Sequence, residues 1–136
     1  MITAVDSTVL LDVVTADPRY GERSARAIRS AIESGALVAC DVVWAETAAW
    51  FPSADEMSLA MDRLGVRFLA VDAPTAVAAG RAWRRYRRSG GPRDRLVPDF
   101  LIGAHAIQHA DRLLSRDRGF LRGYFGGLVV IDPAGS

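Results

Sequence analysis

At 136 residues, half of them hydrophobic and 24% charged, the chain has the size and composition of one folded domain and is too apolar for a disordered segment. A net charge of +1 excludes a global attraction to nucleic acid. All seventeen basic residues are arginine, which excludes functions that need a lysine, the P-loop among them.

The first apolar run, Ile2 to Val5, reads as a strand and ends on Asp6. The N-terminal stretch is broken again at Asp12 and has no basic leader, so a signal peptide is not expected; no run approaches the roughly 20 apolar residues of a membrane span. The cytoplasm is the expected location, and the lone Cys40, without a partner for a disulfide, suits it as a small buried hydrophobe. Ala25, Ile28, Ala31 and Ile32 recur at helical spacing, with Gly35 as the stop. A second strand is expected over Leu37 to Val43, then a helix in which Glu46 stands among Val43, Trp44, Ala45, Ala48, Ala49 and Trp50. In such apolar company an unpaired ionised carboxylate is costly and calls for a cation or another partner. Trp50, Phe51 and Pro52 offer bulky apolar groups suited to a protein partner.

Leu59, Met61 and Leu64 give a weaker helical pattern, closed by Gly65 before a strand over Val66 to Val71. Ala76, Ala79, Trp83 and Tyr86 mark a helix with Pro74 in its first turn, and Arg81, Arg84, Arg85 and Arg88 share another face of it. A Gly-Gly-Pro loop carrying Arg93 and Arg95 leads to Pro98 and Asp99, which open the next helix. Strands over Arg112 to Ser115 and Leu128 to Ile131 follow. Alternation of five such runs with helices implies crossover connections, hence an α/β fold with a mainly parallel sheet covered by helices on both faces, in one domain over residues 1–136.

In an open parallel sheet, ligands bind beyond the carboxyl ends of the strands. Asp6 and Asp117 leave the first and fourth strands there, and Glu46 and Asp99 lie in early turns of helices that begin at the same edge. Each has a structural alternative: Asp99 as a first-turn acid favoured by the helix dipole, Asp6 as a turn or N-cap residue, Asp117 as a cap for a helix through Phe120 and Leu121. These account for the acids singly but not for four in comparable places. Clustered carboxylates repel unless a cation joins them, and an all-oxygen ligand set selects Mg²⁺ or Mn²⁺. Such a site activates water and clamps phosphate oxygens during phosphodiester hydrolysis.

The opening Ile2-Thr3-Ala4-Val5-Asp6-Ser7-Thr8-Val9-Leu10-Leu11, the helix Trp44-Ala45-Glu46, the segment Leu96-Val97-Pro98-Asp99-Phe100-Leu101-Ile102-Gly103-Ala104-His105-Ala106, and Leu113-Leu114-Ser115-Arg116-Asp117-Arg118-Gly119-Phe120 together resemble a PIN domain, and at this length most resemble the VapC toxins of toxin–antitoxin pairs. The resemblance implies a metal-dependent endoribonuclease. It maps Asp6, Glu46, Asp99 and Asp117 onto the family's acids, with Asp6, Asp99 and Asp117 on the metal and Glu46 as a ligand or as the orienter of the attacking water. Ser7 and Ser115 become the small polar residues beside the metal, and Thr8 departs from the family's usual Ser or Asn. It also implies a homodimer and a VapB-like antitoxin, with no membrane association.

The arginines fit an RNA substrate, since Arg pairs bidentately with phosphate and stacks on bases; the RNA-binding set is Arg84, Arg85, Arg88, Arg93 and Arg95. His105 and His109 stand four apart, but Ala106 occupies the place of the glutamate in a zinc-protease helix, and His105 lies roughly 240° around the helix from Asp99. A phospho-acceptor receiver domain would want a lysine, and a haloacid-dehalogenase phosphatase a second Asp where Thr8 stands. A PIN fold serving only as a binding module, or in RNA processing outside a toxin pair, is the remaining rival.

Overall fold

The computed structural model describes residues 1–92 and 97–135. Among them, the order is β1 (Ile2–Val5), α1 (Ser7–Val14), α2 (Gly21–Glu33), β2 (Ala36–Ala39), α3 (Asp41–Ala48), α4 (Ala54–Leu64), β3 (Val66–Phe68), α5 (Ala73–Arg88), α6 (Val97–His109), β4 (Arg112–Leu114), a 3₁₀ turn (Leu121–Gly123) and β5 (Val130–Ile131). The strands pair in the order β3-β2-β1-β4-β5 and every pair is parallel. From β1 the chain steps to one side for β2 and β3, then crosses to the other for β4 and β5. The winding direction therefore reverses between β1 and β4, and the crevice that such a reversal opens lies beyond their carboxyl ends.

The strands are shorter than the apolar runs suggest. β2 stops at Ala39 because Asp41 opens α3, which takes Val42 and Val43 into the helix; β3 stops at Phe68 rather than Val71. In α4 the buried residues are Met57 and Met61, four apart, whereas Leu59 is 51% exposed. Ile32 is likewise at the surface, and α2 buries Ser24, Ile28 and Ala31 instead. Gly65 closes α4 in the left-handed conformation, φ 77°, where a side chain would be strained.

The core gathers the inward residues of the central strands, Ala4, Val5, Leu37, Val38, Leu113 and Leu114, with Val9, Leu10 and Phe100 from the covering helices. Phe100, next to Asp99, is fully buried and packs edge-on to Phe120 and Tyr124 and obliquely to Tyr86. This aromatic cluster ties the start of α6 to the end of α5 and to the segment after β4. Gly103 serves the same junction: a Cβ there would meet the Phe125 ring at 2.6 Å, so only glycine lets the 3₁₀ region approach α6 this closely.

Candidate functional site

Asp6 holds the N-cap position of α1, yet its side chain makes no cap hydrogen bond. The carboxylate is turned to other partners. Ser115 Oγ, one residue beyond β4, donates to Asp6 Oδ2 at 2.7 Å, and the Asp6 N–H donates to the Leu114 carbonyl at 2.9 Å. Ser7 Oγ lies 3.0 Å from Glu46 Oε1 and 3.4 Å from Asp6 Oδ1. A hydroxyl has one proton to give, so Glu46 at the shorter distance is its better acceptor, and Ser115 serves Asp6. Thr8 is exposed and takes no part.

Burial is the main force raising the Asp6 carboxyl above its ordinary value; hydrogen bonds from Ser115 and the Ser7 backbone pull it down, and the charges of Asp99 and Asp117 push it up again. Part of the Asp6 surface still opens to the crevice. The Glu46 carboxyl is raised too, first by desolvation and then by the charges of Asp6 and Asp99, against the hydrogen bond from Ser7. The charges of Asp99, in α6, and Asp117, after β4, thus bear on Asp6 at the end of β1, and those of Asp6 and Asp99 bear on Glu46 in α3.

Two expectations change in detail. Glu46 is exposed rather than sunk in an apolar helix, because α3 turns it toward the crevice and buries Val43 and Thr47 instead. Asp117 does close a turn: Oδ1 accepts the Gly119 N–H at 2.9 Å and Oδ2 the Leu121 N–H at 3.0 Å, ahead of a 3₁₀ turn rather than a longer helix. Each carboxylate oxygen keeps a second lone pair, so the turn does not exhaust the group.

The donor set is all oxygen and anionic, which fits a hard divalent cation in kind. Among the described residues, no three acids, histidines or cysteines are gathered at metal-ligand spacing.

Arg81, Arg84, Arg85 and Arg88 are exposed and line one cavity of about 430 Å³. Arg85 also donates to the Tyr124 carbonyl at 2.8 Å, and Arg87 stacks over Trp83 at 5.0 Å. The packing of Tyr86 on Phe100 places this end of α5 beside the first turn of α6, where Asp99 stands. Arg93 and Arg95 lie outside the described residues.

The histidines belong elsewhere. His105 is buried, which lowers its pKa, and its charged neighbours are His109, Asp41 and Asp72. His109 Nε2 lies 3.0 Å from the Asp72 carboxylate and 3.1 Å from Thr75 Oγ1. Cys40 is buried, and Trp50 is 61% exposed.

The sequence reading gave Asp12 no role beyond interrupting an apolar run. Its side chain is 5% exposed and forms a two-point ion pair with Arg116, both contacts at 2.9 Å, with Ser24 Oγ donating to it at 2.7 Å. In Val9-Leu10-Leu11-Asp12-Val13-Val14 the carboxylate again stands in apolar company and calls for a partner, which is the signal in the sequence for this pair.

The PIN domain family model matches residues 3–126. No curated protein matches the sequence. Among solved structures, VapBC2 from Rickettsia felis, bound to a promoter DNA fragment, superimposes with a TM-score of 0.74 at 15% identity, covering 97% of this chain and 98% of that one. FitAcB from Neisseria gonorrhoeae gives 0.70 at 21% identity over the whole of both chains. Mycobacterium tuberculosis VapC20, a sarcin-ricin loop cleaving toxin, gives 0.63 at 16% identity, covering 90% of this chain and 95% of that one. These likenesses agree with the five-stranded parallel order and with a match spanning nearly the whole sequence: the chain belongs to the PIN domain family.

Proposed function

We propose that the chain is a metal-dependent endoribonuclease that hydrolyses RNA phosphodiester bonds as the toxin of a type II toxin–antitoxin pair. The observation that carries this reading is that Ser115 and Ser7 hold Asp6 and Glu46 together at the carboxyl end of β1, with the charges of Asp99 and Asp117 bearing on Asp6, in a chain of the PIN family.

In this reading Asp6, Asp99 and Asp117 hold Mg²⁺ or Mn²⁺. The ion, when bound, supplies a water of lowered pKa and neutralises charge on the phosphate oxygens. Ser115 fixes Asp6 through the 2.7 Å hydrogen bond to Oδ2. Ser7 fixes Glu46. A carboxyl raised by desolvation and neighbouring charge is a better proton acceptor than an ordinary one, so Glu46 orients the attacking water and takes its proton. Arg84, Arg85 and Arg88, with Arg93 and Arg95, hold the RNA backbone beside Asp99, since guanidinium groups match phosphate oxygens bidentately.

The proposal takes residues 1–136 as one such domain, acting in the cytoplasm; no helix among the described residues is long and apolar enough to cross a membrane. A VapB-like antitoxin, supported by the antitoxin complexes among the solved neighbours, and a homodimer complete it. The VapC20 neighbour supports a structured RNA as substrate.

The test is cleavage of structured RNA by the purified chain with Mg²⁺ or Mn²⁺ and with chelator. Cleavage that needs the ion and is lost in Asp99→Asn is expected; full activity in chelator would overturn the metal mechanism.

A further inference from the structure

We infer that Arg116 is a positioning residue: its ion pair with buried Asp12 holds the Ser115–Asp117 turn against Asp6, and so sets the affinity of the acid site for a divalent cation. The inference rests on the metal-site reading above.

Ser115, Arg116 and Asp117 follow β4 directly, and the chain bends at Asp117, whose N–H donates to Ser115 Oγ at 3.2 Å. Ser115 faces Asp6, donating to it at 2.7 Å, and Asp117 acts on the same carboxylate by its charge. Arg116 between them faces α1 and α2. There Nε donates to Asp12 Oδ2 and Nη2 to Asp12 Oδ1, each at 2.9 Å. Its guanidinium lies 4.1 Å from the centre of the Tyr20 ring, and Ser24 Oγ, fully buried, takes up a further lone pair of Asp12. Tyr20 is itself placed by Asp17, whose Oδ1 accepts the N–H groups of Arg19 and Tyr20 at 2.8 Å.

The planar fork of a guanidinium on a carboxylate fixes direction as well as distance, which a single point charge does not. It fixes the one residue that stands between the hydroxyl on Asp6 and the fourth acid. The turn after Asp117 is closed by that residue's own bonds to the Gly119 and Leu121 N–H groups and passes through Arg118 at φ 60°, a conformation costly for a non-glycine residue. These local bonds shape the turn but do not tie it to α1, which the Arg116 fork does. A buried ion pair is poor evidence for stability, since a matched apolar pair often serves as well. Holding the turn is a role the apolar pair cannot fill. Partners that orient metal ligands typically change metal affinity by about 10- to 100-fold when removed.

The experiment is Mn²⁺ titration by calorimetry on the full chain, well below the melting temperature, so that the readout is binding and not cleavage. Arg116→Gln removes the fork. Because it strands a buried carboxylate, the double variant Asp12→Leu/Arg116→Met is measured beside it, removing both charges at once. Ile28→Val, a buried trim in α2 away from the turn, controls for lost stability. The inference expects the double variant to bind Mn²⁺ about tenfold or more weakly than the parent, and Ile28→Val to bind as the parent does. Parent-like Mn²⁺ affinity in the double variant would overturn the positioning role and leave the metal reading standing. A parent that binds no Mn²⁺ would overturn both.

Discussion

Ser115 Oγ donates to Asp6 Oδ2 at 2.7 Å across the parallel pair β1–β4, joining residues 109 apart in sequence. This hydrogen bond is one of the forces that hold the Asp6 carboxyl down against its burial. Ser115→Ala should therefore raise the Asp6 pKa further and leave the carboxylate free to rotate. Mn²⁺ affinity at neutral pH should fall about tenfold, the lower end of what partners of metal ligands contribute. Calorimetric titration checks it; unchanged affinity would show that the Ser115 bond does not place Asp6 for a cation.

The raised carboxyls at the site give a pH dependence of definite sign. Between the ordinary carboxyl value and the raised one, the folded state holds more protons than the unfolded state, so stability falls as pH rises through that window and is lowest above it. His105 contributes the opposite slope, because burial lowers its pKa, so the whole-protein curve mixes the two. Comparing the parent with Asp6→Asn in chelator separates them. The variant should melt higher than the parent at about pH 7.5, and the gap should narrow as pH falls and the parent's carboxyl takes up its proton. A gap independent of pH would mean that Asp6 carries no penalty as an anion.

On α5, Arg84, Arg85 and Arg88 line one cavity and form the proposed RNA surface. Changing all three to Gln should weaken RNA binding and flatten its dependence on salt, by about 0.7 in the logarithmic slope for each lost phosphate contact. Arg85 also holds the Tyr124 carbonyl, so the folded state of the variant is checked by its melting curve. Binding that keeps the parent's slope across a salt series would make this face an ordinary solvated one.

The architecture was legible because two periods alternate along the chain, and Ile2 to Val5 and the Pro98-Asp99 helix stand where the apolar pattern puts them. Where the reading overran, at Val42, Val43 and Val71, a β-branched residue served a helix or a loop, a choice that tertiary packing makes and local preference does not. The same holds for Leu59, whose exposure reflects the seating of α4 on Met57 and Met61. Asp6, Glu46, Asp99 and Asp117 could be proposed as one set from sequence because crossover topology places strand ends at one edge of the sheet. The Asp12–Arg116 pair could not be gathered that way: it spans 104 residues, and nothing local marks which arginine a buried aspartate will find.

The central claim is that Asp99 belongs with Asp6, Glu46 and Asp117 to one cation site. The measurement that tests it most directly is the thermal shift produced by Mn²⁺ in the parent and in Asp99→Asn, since stabilisation by a ligand grows with its affinity for the folded state. The account predicts a clear upward shift in the parent and the loss of most of it in the variant, together with loss of RNA cleavage. A variant that keeps the parent's full Mn²⁺ shift would contradict the account and make Asp99 a first-turn acid of α6 and nothing more.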